Sequence, residues 1–188
     1  MNELIKYLLK FGELNSQEID FINSKATKHN LLKGEFFSEA GKVPKSVGFV
    51  LDGVVRGYYH SPAGDEITRC FIEENSMLVD YLCFENETVC EDYLQAITDC
   101  SIVVFSRLSW NALSEHVAGW NIIKNKVVQT CMYQKSRKGP VISQDATTRY
   151  LEFLDNHPGL INRVPLSYIA SYLGVTQQSL SRIRSKIR

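Results

Sequence analysis

The sequence predicts an α+β chain in which a β-sandwich or barrel-like roll, preceded by helices, gives way to a helical C-terminal segment. Three observations carry this expectation. From His29 to Arg107, short runs rich in β-branched and aromatic residues alternate with turns such as Lys33-Gly34-Glu35, Ala40-Gly41-Lys42, Asp52-Gly53, Ser61-Pro62-Ala63-Gly64-Asp65 and Glu73-Glu74-Asn75. On either side of that stretch, apolar residues recur three and four apart. Charge divides the chain as well. Residues 1–100 carry 9 Lys/Arg against 17 Asp/Glu, a net of −8, and residues 101–188 carry 12 against 4, a net of +8, within a chain of zero formal net charge. An acidic first unit joined to a basic second one is the pattern of a nucleic-acid-binding tail.

Taken in order, residues 2–12 and 16–25 predict helices, with Leu4, Ile5, Leu8 and Leu9 on one face of the first and Ser16 capping the second. Strands are expected at Val47–Leu51, Val54–Tyr59, Glu66–Ile72, Tyr93–Ile97 and Ser101–Phe105. Helix resumes at Ser109–Val117. A longer helix from Trp120 to about Arg137 carries Ile123, Val127, Val128, Cys131 and Met132 as an apolar seam. Such a seam invites a two-fold partner, with Trp120, Ile123, Val127 and Cys131 as the expected interface, or it packs on the chain's own roll. Gly139-Pro140 breaks this helix, Ser143-Gln144-Asp145 forms a loop or cap, and Thr147–Asn156 forms the next helix, ending at His157-Pro158-Gly159.

The C-terminal 25 residues, Val164–Arg188, read as a helix-turn-helix. Pro165 suits a first helical position, and Ile169, Ala170 and Leu173 form one apolar face. Gly174 supplies the turn and Thr176 caps the second helix. Leu180, Ile183 and Ile187 turn inward, leaving Gln177, Gln178, Ser181, Arg182, Ser185 and Arg188 outward, a set suited to base edges and phosphates. A wet amphipathic hairpin is the plainer alternative. It usually mixes both signs of charge, yet no acid follows Asp155, while Arg163, Arg182, Arg184, Lys186 and Arg188 do.

No segment is long and apolar enough to span a bilayer, and no export signal opens the chain, so no membrane partner and a cytoplasmic location are expected. Cys70, Cys83, Cys90, Cys100 and Cys131 are odd in number and include no Cys-x-x-Cys pair. Reduced thiols, no disulfide framework and no closed zinc site are the expectation, with neither metal nor cofactor.

In this order, roll, long helix, short helix and helix-turn-helix resemble the Crp/Fnr family of bacterial transcription regulators, in particular its short Bacteroidetes-type members. The residues that carry the resemblance are Lys33-Gly34-Glu35 with Gly41, Leu51-Asp52-Gly53-Val54-Val55-Arg56, Ala63-Gly64-Asp65-Glu66, Arg149–Leu154, Ile169–Gly174 and Ser179–Arg184. The resemblance implies a cyclic-nucleotide-binding-type β-roll (a double-stranded β-helix) with flanking helices over residues 1–117, a dimerisation helix over 118–138 and a helix-turn-helix domain over 139–188. It implies a homodimer on double-stranded DNA, reading a roughly palindromic operator with half-sites about one helical turn apart, and RNA polymerase as a further partner. By position, Gln177, Gln178 and Arg182 would contact bases, while Thr176, Ser179, Arg184 or Lys186 would hold phosphates, with Ser181 on the same face.

Two features depart from that pattern. The chain stops directly after the recognition helix, where longer members add a β-hairpin wing. Where cyclic-nucleotide binders place Gly-Glu and Arg-Ser pairs, this chain has Val79-Asp80-Tyr81-Leu82 and Cys90-Glu91-Asp92-Tyr93. Acids in place of a phosphate-pairing arginine repel the ligand, so cyclic AMP and cyclic GMP are not expected to bind. The pocket, at Asp80, Tyr81, Cys90, Glu91, Asp92 and Tyr93, either takes another small-molecule effector or is filled by its own side chains.

Other classes fit less well. An iron–sulfur sensor needs N-terminal cysteines, and the first here is Cys70. A cupin-like metalloenzyme needs about three converging histidines, and of His29, His60, His116 and His157 only His60 adjoins a predicted strand. No Gly-rich phosphate loop or supported Ser/His/Asp arrangement occurs, so catalysis is not expected. The remaining alternative is a ligand-sensing or protein-interaction module that does not read DNA.

Overall fold

A computed structural model describes residues 1–137 and 143–187. Helices α1 (Asn2–Leu8) and α2 (Ser16–Lys25) open the chain. The first ends at Leu8, sooner than its apolar spacing predicts, and beyond it Gly12 lies directly against Ile123. A Cβ there would come within 2.7 Å of Ile123. The cap of α2 is Asn15 rather than Ser16. Its side chain accepts the Glu18 N–H at 3.0 Å and the Glu18 carboxylate accepts the Asn15 N–H at 2.9 Å, a reciprocal capping box. Glu18 also accepts the Ala118 N–H at 2.8 Å, which ties α2 to the start of the long helix.

Eight strands follow, interrupted once by a helix: β1 (Thr27–Leu31), β2 (Phe36–Ser38), β3 (Ser46–Asp52), β4 (Val55–His60), β5 (Glu66–Ile72), β6 (Met77–Leu78), α3 (Tyr81–Asn86), β7 (Tyr93–Ala96) and β8 (Cys100–Ser106). They form two antiparallel four-stranded sheets, ordered β1-β8-β3-β6 and β2-β7-β4-β5. The five predicted strands are present, and β1, β2 and β6 complete the roll. Between the sheets lie Leu31, Val50, Val55, Leu78, Leu94, Ala96 and Ile102. Complete burial of each such aliphatic side chain contributes about 1.5–3 kcal/mol.

The outer face of the first sheet is covered by α1, α2, α4 (Arg107–His116) and α5 (Trp120–Arg137). Helix α4 starts earlier than predicted because the Ser106 hydroxyl caps it, accepting the Ser109 N–H at 3.1 Å. Trp120, Ile123 and Val127 of α5 are almost wholly buried with Leu4, Leu8, Phe49 and Trp110 in one core. The Trp110 and Trp120 rings meet edge to face at 5.2 Å.

The expected break at Gly139-Pro140 lies outside the described residues. Helix α6 (Ala146–Asn156) is capped by Asp145, whose carboxylate accepts the Thr147 and Thr148 N–H groups. A single 3-10 turn (Leu160–Asn162) leads to α7 (Leu166–Leu173) and α8 (Gln177–Ile187). Pro165 stands one place before the first helical residue. Tyr150, Phe153, Leu160, Ile169, Leu173 and Leu180 form the C-terminal core, which also takes in Val54, Phe71 and Ile97 of the roll.

Candidate nucleic-acid interface and effector cavity

The turn between α7 and α8 is set by Gly174, at φ 65° and ψ 36°, a left-handed conformation that favours glycine. Arg149 of α6 donates to the Leu173 carbonyl beside it and so locks the turn from outside. Thr176 caps α8 by accepting the Ser179 N–H at 3.1 Å and donates its own hydroxyl to Ser179 Oγ at 2.9 Å. Leu180 is fully buried and Ile183 partly so, which leaves one long polar face outside. Thr176, Gln177, Gln178, Ser179, Ser181, Arg182, Ser185 and Lys186 are all exposed, and Arg184 is half-buried. Ile187 departs from expectation. It is 41% exposed, because the last turn of α8 runs past the core.

Two other basic residues of this half, Arg163 and His157, face the roll. Arg163 donates to both Glu74 oxygens, at 2.5 and 3.1 Å, and Glu74 also accepts the Gly53 N–H at 2.8 Å. These bonds, Arg163 first, hold the Glu74 carboxyl below its ordinary range in spite of partial burial. His157, buried, meets Glu73 at 2.5 Å. Arg56 is 1% exposed. Its guanidinium bonds Thr68 at 2.8 Å and Glu66 at 2.5 Å, between the rings of Tyr58 (4.3 Å) and Tyr168 of α7 (3.9 Å). The Ser171 hydroxyl of α7 accepts the Thr68 N–H and donates to the Glu66 carbonyl, both at 2.9 Å. Sequence reasoning missed this seam. Its one signal was the opposite charge of the two halves.

A cavity of about 580 Å³ lies beside the seam. It is walled by β5 and the β5–β6 turn, by Asp80, Tyr81 and Leu82 at the start of α3, by Asp92 and Leu94, by Cys131 and Met132 of α5, and by Asn156 of α6. Of the expected pocket residues, Asp80, Tyr81 and Asp92 line it. Cys90, Glu91 and Tyr93 do not, which corrects the expectation for them. Cys90 is buried behind Cys83. Glu91 is exposed, and the Tyr93 ring stacks on Tyr58 at 5.0 Å. Among the described residues no lysine or arginine lines the cavity, whereas Glu73, Glu74, Asp80 and Asp92 do. Arg69 reaches Asp92 at 3.2 Å, compensating one of these acids.

The expected interface on α5 is corrected too. Trp120, Ile123 and Val127 are covered by the chain's own helices and roll, and Cys131 is partly covered, so this seam offers no surface to a partner. The exposed apolar residues of α5 are Ile122, Met132 and Tyr133. Ile122 and Tyr133 stand eleven positions apart, about 20° around the helix, and so share a face.

All five cysteines are free thiols. Burial raises the pKa values of Cys90, Cys100 and Cys131 above the ordinary thiol value. Next in rank for Cys90 is the neighbouring Cys83, with Asp80 as the nearby acid.

A two-sheet roll, a long helix laid across it and a terminal helix-turn-helix follow one another along the chain. The chain has the fold of the Crp/Fnr transcription regulators. The c-di-GMP-responsive global regulator CLP of Xanthomonas campestris superposes with a TM-score of 0.68 at 14% identity, over 92% of this chain and 91% of that one. FixK2 from Bradyrhizobium japonicum gives 0.64 at 19% identity, over 86% and 84%. A protein from Eubacterium rectale described as a Crp/Fnr transcriptional regulator gives 0.65 at 17% identity, over 90% and 82%. The first and third of these neighbours are described as regulators. No protein-family model matches the chain, and no curated protein matches it in sequence. Among the described residues no helix is long and apolar enough to cross a membrane.

Proposed function

We propose that this chain is a DNA-binding transcription regulator of Crp/Fnr type that acts as a homodimer on a roughly palindromic operator. The observation that carries the reading is the acid-free polar face of α8. Gln177, Gln178, Ser181, Arg182 and Lys186 are exposed together, whereas His157 and Arg163 are committed to roll carboxylates. Arg182 can bridge guanine and Gln177 or Gln178 adenine, while Thr176, Ser179, Arg184 and Lys186 serve phosphates. Residues 1–117 act as the effector domain, 118–138 as the dimerisation helix through Ile122 and Tyr133, and 139–188 as the reader.

The effector cavity supports a switch because its walls come from the roll, the long helix and α6 at once. A ligand there shifts DNA affinity only if it binds two arrangements of these elements unequally. The acidic lining supports an apolar or cationic effector and opposes a cyclic nucleotide. The test is a pull-down of sheared genomic DNA under excess non-specific competitor, comparing wild type with Arg182→Ala. Recovery of a shared palindrome by wild type alone supports specific readout. Equal recovery by both proteins counts against it.

A further inference from the structure

We propose that Asp80, Cys83 and Cys90 bind a single thiophilic divalent cation of the zinc class, a site that does not depend on any DNA-binding role. One carboxylate oxygen and the two Sγ atoms all lie within 4.8 Å of one another. Ligands around a tetrahedral zinc with sulfur at about 2.3 Å stand about 3.8 Å apart, so small side-chain adjustments bring all three onto one ion. Spacing along the chain hides the cluster, since no Cys-x-x-Cys pair is present.

The local fold assembles it. Asp80 caps α3, with its carboxylate accepting the Cys83 N–H at 3.3 Å, which places Cys83 in the first turn beside it. The chain then reverses at Glu87, in the left-handed region at φ 53°, whose N–H bonds the Cys83 carbonyl. Cys90 returns against α3 with its backbone fixed to the roll. Its N–H donates to the Lys42 carbonyl at 3.0 Å and its carbonyl accepts the Gly41 N–H at 2.8 Å. The donor atoms are therefore held from two directions before any ion arrives, which lowers the ordering cost of binding.

The chemistry of the set selects the ion. Two sulfurs favour zinc-like or softer metals over magnesium and calcium, which take oxygen. Without a cation, Cys90 is a buried thiol beside Cys83. A divalent cation replaces both thiol protons, which leave to solvent. The resulting pair of thiolates and one carboxylate around a doubly charged ion carries one net negative charge. Three protein ligands leave a fourth position for water or a small anion. Asp80 stands on the boundary, since it also lines the effector cavity.

Reduced, metal-free, full-length protein titrated with cobalt(II) tests the site. We expect one equivalent per chain to produce a sulfur-to-cobalt charge-transfer band together with the visible bands of four-coordinate cobalt, both bleached by added zinc. Cys83→Ser and Cys90→Ser should each lose the charge-transfer intensity contributed by one thiolate and bind cobalt more weakly, and Asp80→Asn should weaken binding while keeping that intensity. Circular dichroism checks folding. If Cys90→Ser misfolds, the half-buried Cys83 decides the matter. Absence of a charge-transfer band in the wild type, or a band unchanged in Cys83→Ser, would overturn the proposal.

Discussion

Arg163 holds Glu74 through both terminal guanidinium nitrogens, at 2.5 and 3.1 Å, and so fastens the segment leading into α7 to the turn that follows β5. Glu74 in turn accepts the Gly53 N–H, so a single carboxylate joins two roll turns to the C-terminal core.

That pair makes the seam sensitive to acid. The folded Glu74 carboxyl titrates below its ordinary value, so its contribution is complete above the unfolded value near 4.3 and is lost as pH falls through the folded one. Both side chains are partly exposed, which limits the pair to about 1 kcal/mol. Melting curves should show wild type losing stability faster than Glu74→Gln as pH drops from about 5 to 3. Parallel decline of the two proteins would contradict the assignment.

Arg56 presents the opposite case, a buried cation with every neighbour arranged around it. Arg56→Met should cost about 3 kcal/mol or more in denaturant unfolding, because the Thr68 and Glu66 oxygens lose their donor and the Tyr168 ring its platform. Arg56→Lys should restore only part of this, since an ammonium cannot stack flat between two rings.

The two faces of α5 should respond differently to charge. Ile122, 61% exposed, changed to Glu should shift sedimentation from dimer to monomer with little change in melting temperature. Val127→Glu should unfold the protein, since that residue lies inside the core shared with Trp110 and Trp120. Dimers persisting in Ile122→Glu would place the interface elsewhere.

Calorimetric titration with cyclic AMP or cyclic GMP should show no saturable binding. The cavity offers a phosphate no basic side chain among the described residues and several carboxylates instead. A tight one-to-one isotherm would refute this.

On DNA, Lys186→Ala should weaken binding to all sequences alike and reduce the slope of log affinity against log salt by about one. Arg182→Ala should instead cost about 1–3 kcal/mol at one base position and relax preference there.

The strands legible in the sequence were those with a dense apolar or β-branched pattern, such as β3 and β8. Strand β1, Thr-Lys-His-Asn-Leu, has four of its five residues exposed, and β6 has only two residues, so neither bears a readable alternation. On α5 the apolar residues were recognised, but periodicity does not say what covers them, and α1 and α2 already do. The helix-turn-helix was legible because its turn, cap and polar face are all local in sequence. The thiol cluster was not, because a left-handed residue at Glu87 and backbone bonds to Gly41 and Lys42 bring Cys90 to Cys83.

Strand β5 borders its sheet, and Ser171 completes the ladder on its free side, accepting from the Thr68 N–H and donating to the Glu66 carbonyl as another strand would. The C-terminal domain thus covers part of an edge that would otherwise be open to pairing with another strand. Any swing of that domain large enough to release Ser171 uncovers a strip of unpaired backbone, and a second molecule can add a strand there. The C-terminal helices therefore also help to cover the open edge of the roll.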